Sequence, residues 1–111
     1  MLLDLKEVYE KEKELIEKHL NSKDYLITLE IEGKELSSTE LADKIDKTLI
    51  TNSNITFLIG GSYGIHPDIK AKSNFKLSFS KMTFPHQLMR VIFLEQTYRA
   101  FAIMNNIKYH K

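Results

Sequence analysis

The chain has 111 residues, 42% hydrophobic and 28% charged, and no cysteine, enough for one compact domain over residues 1 to 111 and too little for two, with disulfides, thiolate metal sites and thiol catalysis excluded together. No apolar run approaches the roughly 18 to 20 residues of a membrane-spanning helix, and Asp4, Lys6 and Glu7 interrupt the start too early for a secretion signal, so a cytoplasmic chain is expected. The net charge of +1 conceals a division: residues 1 to 48 carry eight Lys against thirteen acids, whereas residues 49 to 111 carry eight Lys and Arg against Asp68 and Glu95, a basic half suited to a polyanion.

The first predicted element is a helix over residues 2 to 21, where Leu5, Val8, Tyr9, Leu15, Ile16 and Leu20 fall near helical spacing among Lys and Glu. Asn21, Ser22, Lys23 and Asp24 break it. Residues 25 to 31 read YLITLEI, apolar and β-branched enough for a strand covered on both faces, and Gly33 should end it. Ser37 and Glu40 have capping-box spacing, and Leu41, Ile45 and Leu49 then repeat every four residues as a second helix. ITFLI, residues 55 to 59, predicts a second buried strand running into Gly60, Gly61, Ser62, Tyr63 and Gly64.

Pro67 suits the first position of a short helix reaching about Lys72, because its missing N–H is not needed there. Residues 75 to 79 (FKLSF) predict a third strand, and Pro85 stands where a last helix would begin, running to about Met104. Leu88, Met89, Val91, Ile92, Phe93, Leu94, Tyr98, Phe101 and Ile103 occupy more than one stripe of that helix. It should bury two faces, one on its own sheet and the other against its twin in a homodimer. The order predicts an α/β fold: a parallel sheet of about three strands flanked by helices.

The glycine turn after the second strand lets backbone approach a ligand at the carboxyl edge of a parallel sheet, but it lacks G-x-G-x-x-G spacing and the G-K-[ST] ending of a phosphate loop. His19, His66, His86 and His110 include no H-E-x-x-H and no pair at i,i+4, so no metal site is expected, and no G-x-S-x-G elbow supports a hydrolase. His86 and Arg90 sit one turn apart at the positive end of the last helix. The terminal Tyr109, His110 and Lys111 combine a ring for stacking with polar tips, a combination suited to a nucleic acid base and its phosphate.

Longer motifs point further. The run LSFSKMTFPHQLMRV (residues 77 to 91), with EQTYRAF (95 to 101), the terminal YHK, ITLEIEGKELSS (27 to 38) and IGGSYGIH (59 to 66), closely resembles the RlmH family. Those are SPOUT-class enzymes that use S-adenosylmethionine to methylate N3 of a pseudouridine in 23S rRNA. The likeness covers essentially residues 25 to 111, with a looser match over the first helix. It implies a C-terminal trefoil knot enclosing the cofactor cleft, and a chain shortened by the strand, helix and strand that open other members. The second strand would then present an uncovered edge.

Carried over position by position, the resemblance makes Leu29, Gly60, Gly61, Phe79, Ser80, Lys81, Met82, Thr83 and Phe84 the expected S-adenosylmethionine contacts. Apolar Leu29, Leu77 and Met82 suit an adenine ring, and the glycines open backbone donors to the ligand. For catalysis, His86 or His110 could help remove the N3 proton, Arg90 or Arg99 could stabilise the uracil anion or grip phosphate, and Tyr109 could stack on the target base. The implied partner is 23S rRNA in the ribosome. Two other readings stay open: an inactive knotted remnant serving as a dimerisation or interaction module, and a plain RNA-binding domain.

Overall fold

The structure, a computed structural model, describes residues 5–20, 23–60 and 64–110. Outside them lie the expected helix start at residues 2 to 4, the breakers Asn21 and Ser22, the turn residues Gly61, Ser62 and Tyr63, and Lys111. Seven elements follow in chain order: α1 (Leu5–His19), β1 (Tyr25–Glu35), α2 (Ser38–Thr51), β2 (Ile55–Ile59), α3 (Pro67–Lys70), β3 (Phe75–Ser78) and α4 (His86–Met104). The strands form one parallel sheet in the order β2-β1-β3. The α/β class, the sheet and the central position of β1 thus agree with expectation.

Register is anchored at both ends of the pairing. Tyr25 pairs with Ile55 and Leu29 with Ile59, while Ile27 pairs with Phe75 and Leu29 with Leu77. Asn74 fixes the third strand from its own side, its Oδ1 accepting from the Leu26 N–H and its N–H donating to the Leu26 carbonyl, both at 2.8 Å. The core lies between this sheet and the helices α2 and α4, where Ile27, Leu41, Ala42, Ile45, Leu77 and Ala100 form one buried cluster. Burying such side chains contributes on the order of 25 cal/mol per Å² of apolar surface. α2 begins as expected, with Ser37 Oγ accepting from the Glu40 N–H at 3.1 Å and Glu40 Oε1 accepting from the Ser37 N–H at 2.8 Å.

Some details differ from the sequence reading, β3 among them, which ends at Ser78 rather than Phe79. Gly33 does not end β1. Leu29 and Lys34 both pair with Leu77, so residues 30 to 33 bulge out and the strand resumes through Glu35. The bulge needs glycine, because a Cβ at position 33 would stand 2.7 Å from the Lys76 carbonyl oxygen. β2 is half-buried at all five residues rather than buried, since it pairs with β1 on one side only. α3 stops at Lys70, after a turn opened by His66, whose Nδ1 accepts from the Asp68 N–H at 3.0 Å.

Two ion pairs join α1 to this framework. Lys13 Nζ stands 2.7 Å from Asp68 Oδ2, and Lys72 Nζ is 2.7 Å from Glu17 Oε2. Acids and bases of the two oppositely charged halves meet here, and Lys70 also faces Glu30 and Glu32. Part of the C-terminal basic charge is therefore matched inside the fold.

Candidate functional site

The carboxyl ends of all three strands open on one side of the sheet, the edge at which parallel α/β folds hold ligands. β1 brings Leu29 and the bulged Glu30, Ile31 and Glu32 to it; β2 brings Ile59 and the following Gly60; β3 brings Leu77, Ser78 and the following Phe79. The loop between β3 and α4 adds Ser80, Thr83, Phe84 and Pro85, and the first turn of α4 adds His86 and Met89. Ile65 and Lys70 also line this open cavity of about 790 Å³. That volume falls in the range of small-molecule sites.

Local chemistry shapes each wall. Gly60 packs so closely that a Cβ there would meet Ile65 Cγ1 at 2.8 Å, and Gly64 has φ +84°, which favours glycine. The loop after β3 is pinned by its own serines: Ser78 Oγ donates to the Ser80 carbonyl at 2.9 Å, and Ser80 Oγ accepts from the Met82 N–H at 3.0 Å. α4 then starts at His86 after Pro85, which provides no side-chain cap.

Of the residues expected to contact a cofactor, Leu29, Gly60, Phe79, Ser80, Thr83 and Phe84 line this cavity. Lys81 and Met82 belong to the same loop but do not line it, and Met82 is exposed. Gly61 lies outside the described residues. Among the residues expected to act on a base, His86 reaches the cavity, whereas Arg90, one turn further along α4, is exposed and does not.

Tyr109 and His110 fold elsewhere, onto the second half of α4. Tyr109 Oη donates to Glu95 Oε1 at 3.2 Å, its ring meets Tyr98 edge-on at 4.8 Å, and the Arg99 guanidinium lies 4.8 Å from its centroid. Arg99 Nη1 is 3.1 Å from His110 Nδ1. Glu95 is nine residues beyond His86, about 13 Å along the helix, so tail and cavity are separate in one chain. The Arg99 hydrogen bonds hold the Glu95 carboxyl below its usual range, and Glu95 in turn raises Arg99.

The sequence reading did not single out Glu30 and Lys70. Glu30 lines the cavity, its side chain is 3% exposed, and its buried Oε1 has no hydrogen-bond partner. Lys70 Nζ lies 3.1 Å from Glu32 Oε1 and 3.5 Å from Glu30 Oε1; the Glu32 contact chiefly raises the Lys70 pKa. The available signal was an acid between apolar neighbours in a strand covered on both faces, since Glu is rarely fully buried unless paired. The cavity fits an adenosine-sized molecule: its volume suffices, Leu29, Leu77 and Phe79 offer apolar walls, and Glu30 in its wall carries an oxygen without a hydrogen bond. Among the described residues no cluster of His, Asp and Glu could hold a metal ion, and no helix is long and apolar enough to cross a membrane.

Comparison with known proteins places these motifs. The profile of the family described as "Predicted SPOUT methyltransferase" matches residues 3–110. A protein of Clostridium botulinum named ribosomal RNA large subunit methyltransferase H is 50% identical over 105 residues, and a Finegoldia magna protein of the same name is 52% identical over 105. A Methanococcus maripaludis protein carrying a provisional form of that name is 59% identical over 105. Each alignment covers 94% of this chain and 66% of the relative, so the chain spans just under two thirds of the length of these proteins.

Proposed function

The chain belongs to the SPOUT methyltransferase family, and within it to the RlmH family, and from that membership we propose that it methylates N3 of a pseudouridine in 23S rRNA of the ribosome, using S-adenosylmethionine. The observation that supports this reading is the convergence of Leu29, Gly60, Phe79, Ser80, Thr83 and Phe84, from three strand ends and one loop, on a single cavity. Lys81, Met82 and Gly61 complete the proposed contact set, within a trefoil knot formed by the C-terminal part of the domain.

Bound S-adenosylmethionine would supply a methyl carbon already activated by positive sulfur, so the protein's task is alignment and removal of one proton. Leu29, Leu77 and Phe79 take the adenine ring between apolar surfaces, and Gly60 leaves backbone groups within reach of the ligand. His86, at the cavity, accepts the N3 proton of the target base, with His110 as the alternative imidazole. Within one chain Arg90, Arg99, Tyr109 and His110 lie off the cavity, so in this reading they come to the base from a second copy packed on α4, Arg90 or Arg99 holding phosphate or the developing uracil anion and Tyr109 stacking on the base.

A second copy of the chain packs on α4 in this reading. Leu88, Val91, Leu94, Tyr98 and Phe101 form one stripe along the helix, and all five are exposed in a single chain. The enzyme then works as a homodimer in the cytoplasm.

Calorimetry with S-adenosylmethionine and single-turnover transfer of labelled methyl to ribosomes lacking this modification test the proposal. Binding followed by incorporation at the pseudouridine is expected. Replacing His86 and His110 together with Gln should slow transfer by about 10²- to 10⁴-fold, the usual contribution of a general base, while leaving cofactor binding intact. A folded chain that binds no cofactor overturns the reading.

A further inference from the structure

Glu30 poses a physical problem that the proposed catalytic residues do not solve. A buried carboxylate is costly unless both its charge and its lone pairs are satisfied. One oxygen is satisfied: Thr28 Oγ1 donates to Glu30 Oε2 at 2.6 Å, and the same hydroxyl is 2.8 Å from Ser73 Oγ, which fixes the carboxylate's orientation from beneath. The other oxygen, Oε1, has no hydrogen-bond partner, although the side chain is 3% exposed and lines the cavity.

Lys70 distinguishes what is missing. Its ammonium, 3.5 Å from Glu30 Oε1, is close enough to balance charge, but its shorter contact, 3.1 Å, is to Glu32. Glu30 Oε1 therefore has a counter-ion that, at 3.5 Å, gives it no close hydrogen bond. A second cation at this oxygen would be repelled by Lys70 at short range in a poorly screened site. A neutral hydroxyl would complete the carboxylate without adding charge, and a hydrogen bond to an ionised acceptor is among the stronger kinds.

We propose that Glu30 Oε1 accepts a hydrogen bond from a ribose hydroxyl of the adenosyl group bound in the cavity, with Lys70 as its counter-ion. The assignment rests on the cofactor reading above and adds to it the residue that recognises the sugar. Its location supports it: Glu30 begins the bulge of the central strand directly after Leu29, which pairs with Ile59 and Leu77, and lines the same cavity as Gly60 and Phe79. Carboxylates near strand ends hold ribose hydroxyls in dinucleotide folds for the same electrostatic reason. A ligand lacking the hydroxyl would leave the oxygen dry and unpaired, which is how a polar site rejects an analogue.

The test is calorimetric and needs no turnover. The full chain is titrated with S-adenosylhomocysteine and with its 2′-deoxy and 3′-deoxy forms. One deoxy form should bind about 10- to 100-fold more weakly than the parent, and Glu30→Gln should shrink that ratio several-fold, since a neutral amide oxygen is a weaker acceptor. Glu30→Met, which removes the acceptor, should bring the ratio to near one; if one of the two variants does not fold, the other decides. Equal affinity of the wild-type chain for all three ligands, or a ratio unchanged by the variant, overturns the assignment while leaving the cofactor reading in place. No binding of S-adenosylhomocysteine by the folded wild-type chain overturns the cofactor reading, and the assignment with it.

Discussion

Arg99 Nη2 donates to Glu95 Oε1 at 2.6 Å, one turn back along α4, and Tyr109 Oη donates to the same oxygen at 3.2 Å, so one carboxylate ties the end of the chain to the helix. The Arg99 hydrogen bonds first, and the Tyr109 hydroxyl after them, lower the pKa of Glu95 below the free value. A depressed carboxyl stabilises the folded arrangement above its unfolded pKa, and that contribution is lost as pH falls through the folded one. The tail should thus stay anchored at neutral pH and detach only as pH falls through the lowered value. Glu95→Gln should release it at pH 7, seen as loss of the nuclear Overhauser contact between the Tyr98 and Tyr109 rings. Persistence of that contact in the variant would refute the role given to Glu95.

The clasp between α1 and α3 leads to a second expectation. Lys72 lowers the pKa of Glu17, and Lys13 lowers that of Asp68, in each case chiefly through a hydrogen bond. By the same sign argument both tethers hold above the ordinary carboxylate range and fail as pH drops through the lowered values. Salt should weaken them too, since the screening length falls to about 3 Å at 1 M. Hydrogen exchange should show amides of α1 losing protection in acid or high salt before those of α2 and α4. Simultaneous loss across all three helices would show that α1 is held by something other than these pairs.

The sequence made the fold legible where one local rule decided the outcome. Ser37 and Glu40 announced the start of α2, and the run ITFLI delimited β2 residue for residue, because cap and strand signals act over a few positions. Gly33 misled because glycine both ends strands and permits bulges, and only the approach of the Lys76 backbone decides between them. Six of the residues named through family motifs line one cavity, yet Lys81 and Met82 show that neighbours in a motif need not share a wall, since they sit in the same loop and line none of it. Glu30 and Lys70 were hidden because their pairing depends on how β1 and α3 lie together, which no spacing along the chain records.

Gly33→Ala follows from the bulge. The new methyl would stand 2.7 Å from the Lys76 carbonyl oxygen and 3.0 Å from the Leu77 carbonyl carbon, both backbone atoms that cannot swing aside. Overpacking of this kind costs about 1–3 kcal/mol, to be read as a lowered urea midpoint with an unchanged slope. The same displacement moves the segment that carries Glu30, so affinity for S-adenosylhomocysteine should fall as well. A variant as stable as the wild type would mean that the bulge opens without strain.

The exposed stripe on α4 provides the sharpest test of assembly. Val91 and Leu94 are 61% and 64% exposed in a single chain, near the middle of a stripe from Leu88 to Phe101 that runs for about 20 Å. Side chains this open contribute little to the stability of the isolated fold, so surface substitutions there stay within about 0.5 kcal/mol. Opposed across a two-fold interface, however, each copy would present the same apolar row to the other, and a buried charge without a partner would be strongly unfavourable. Val91→Glu with Leu94→Glu should therefore convert a sedimenting dimer into a monomer whose circular dichroism matches the wild type. A wild-type chain that sediments as a monomer at tens of micromolar would remove α4 as the dimer face, and a doubly substituted chain that remains dimeric would move the interface to another surface.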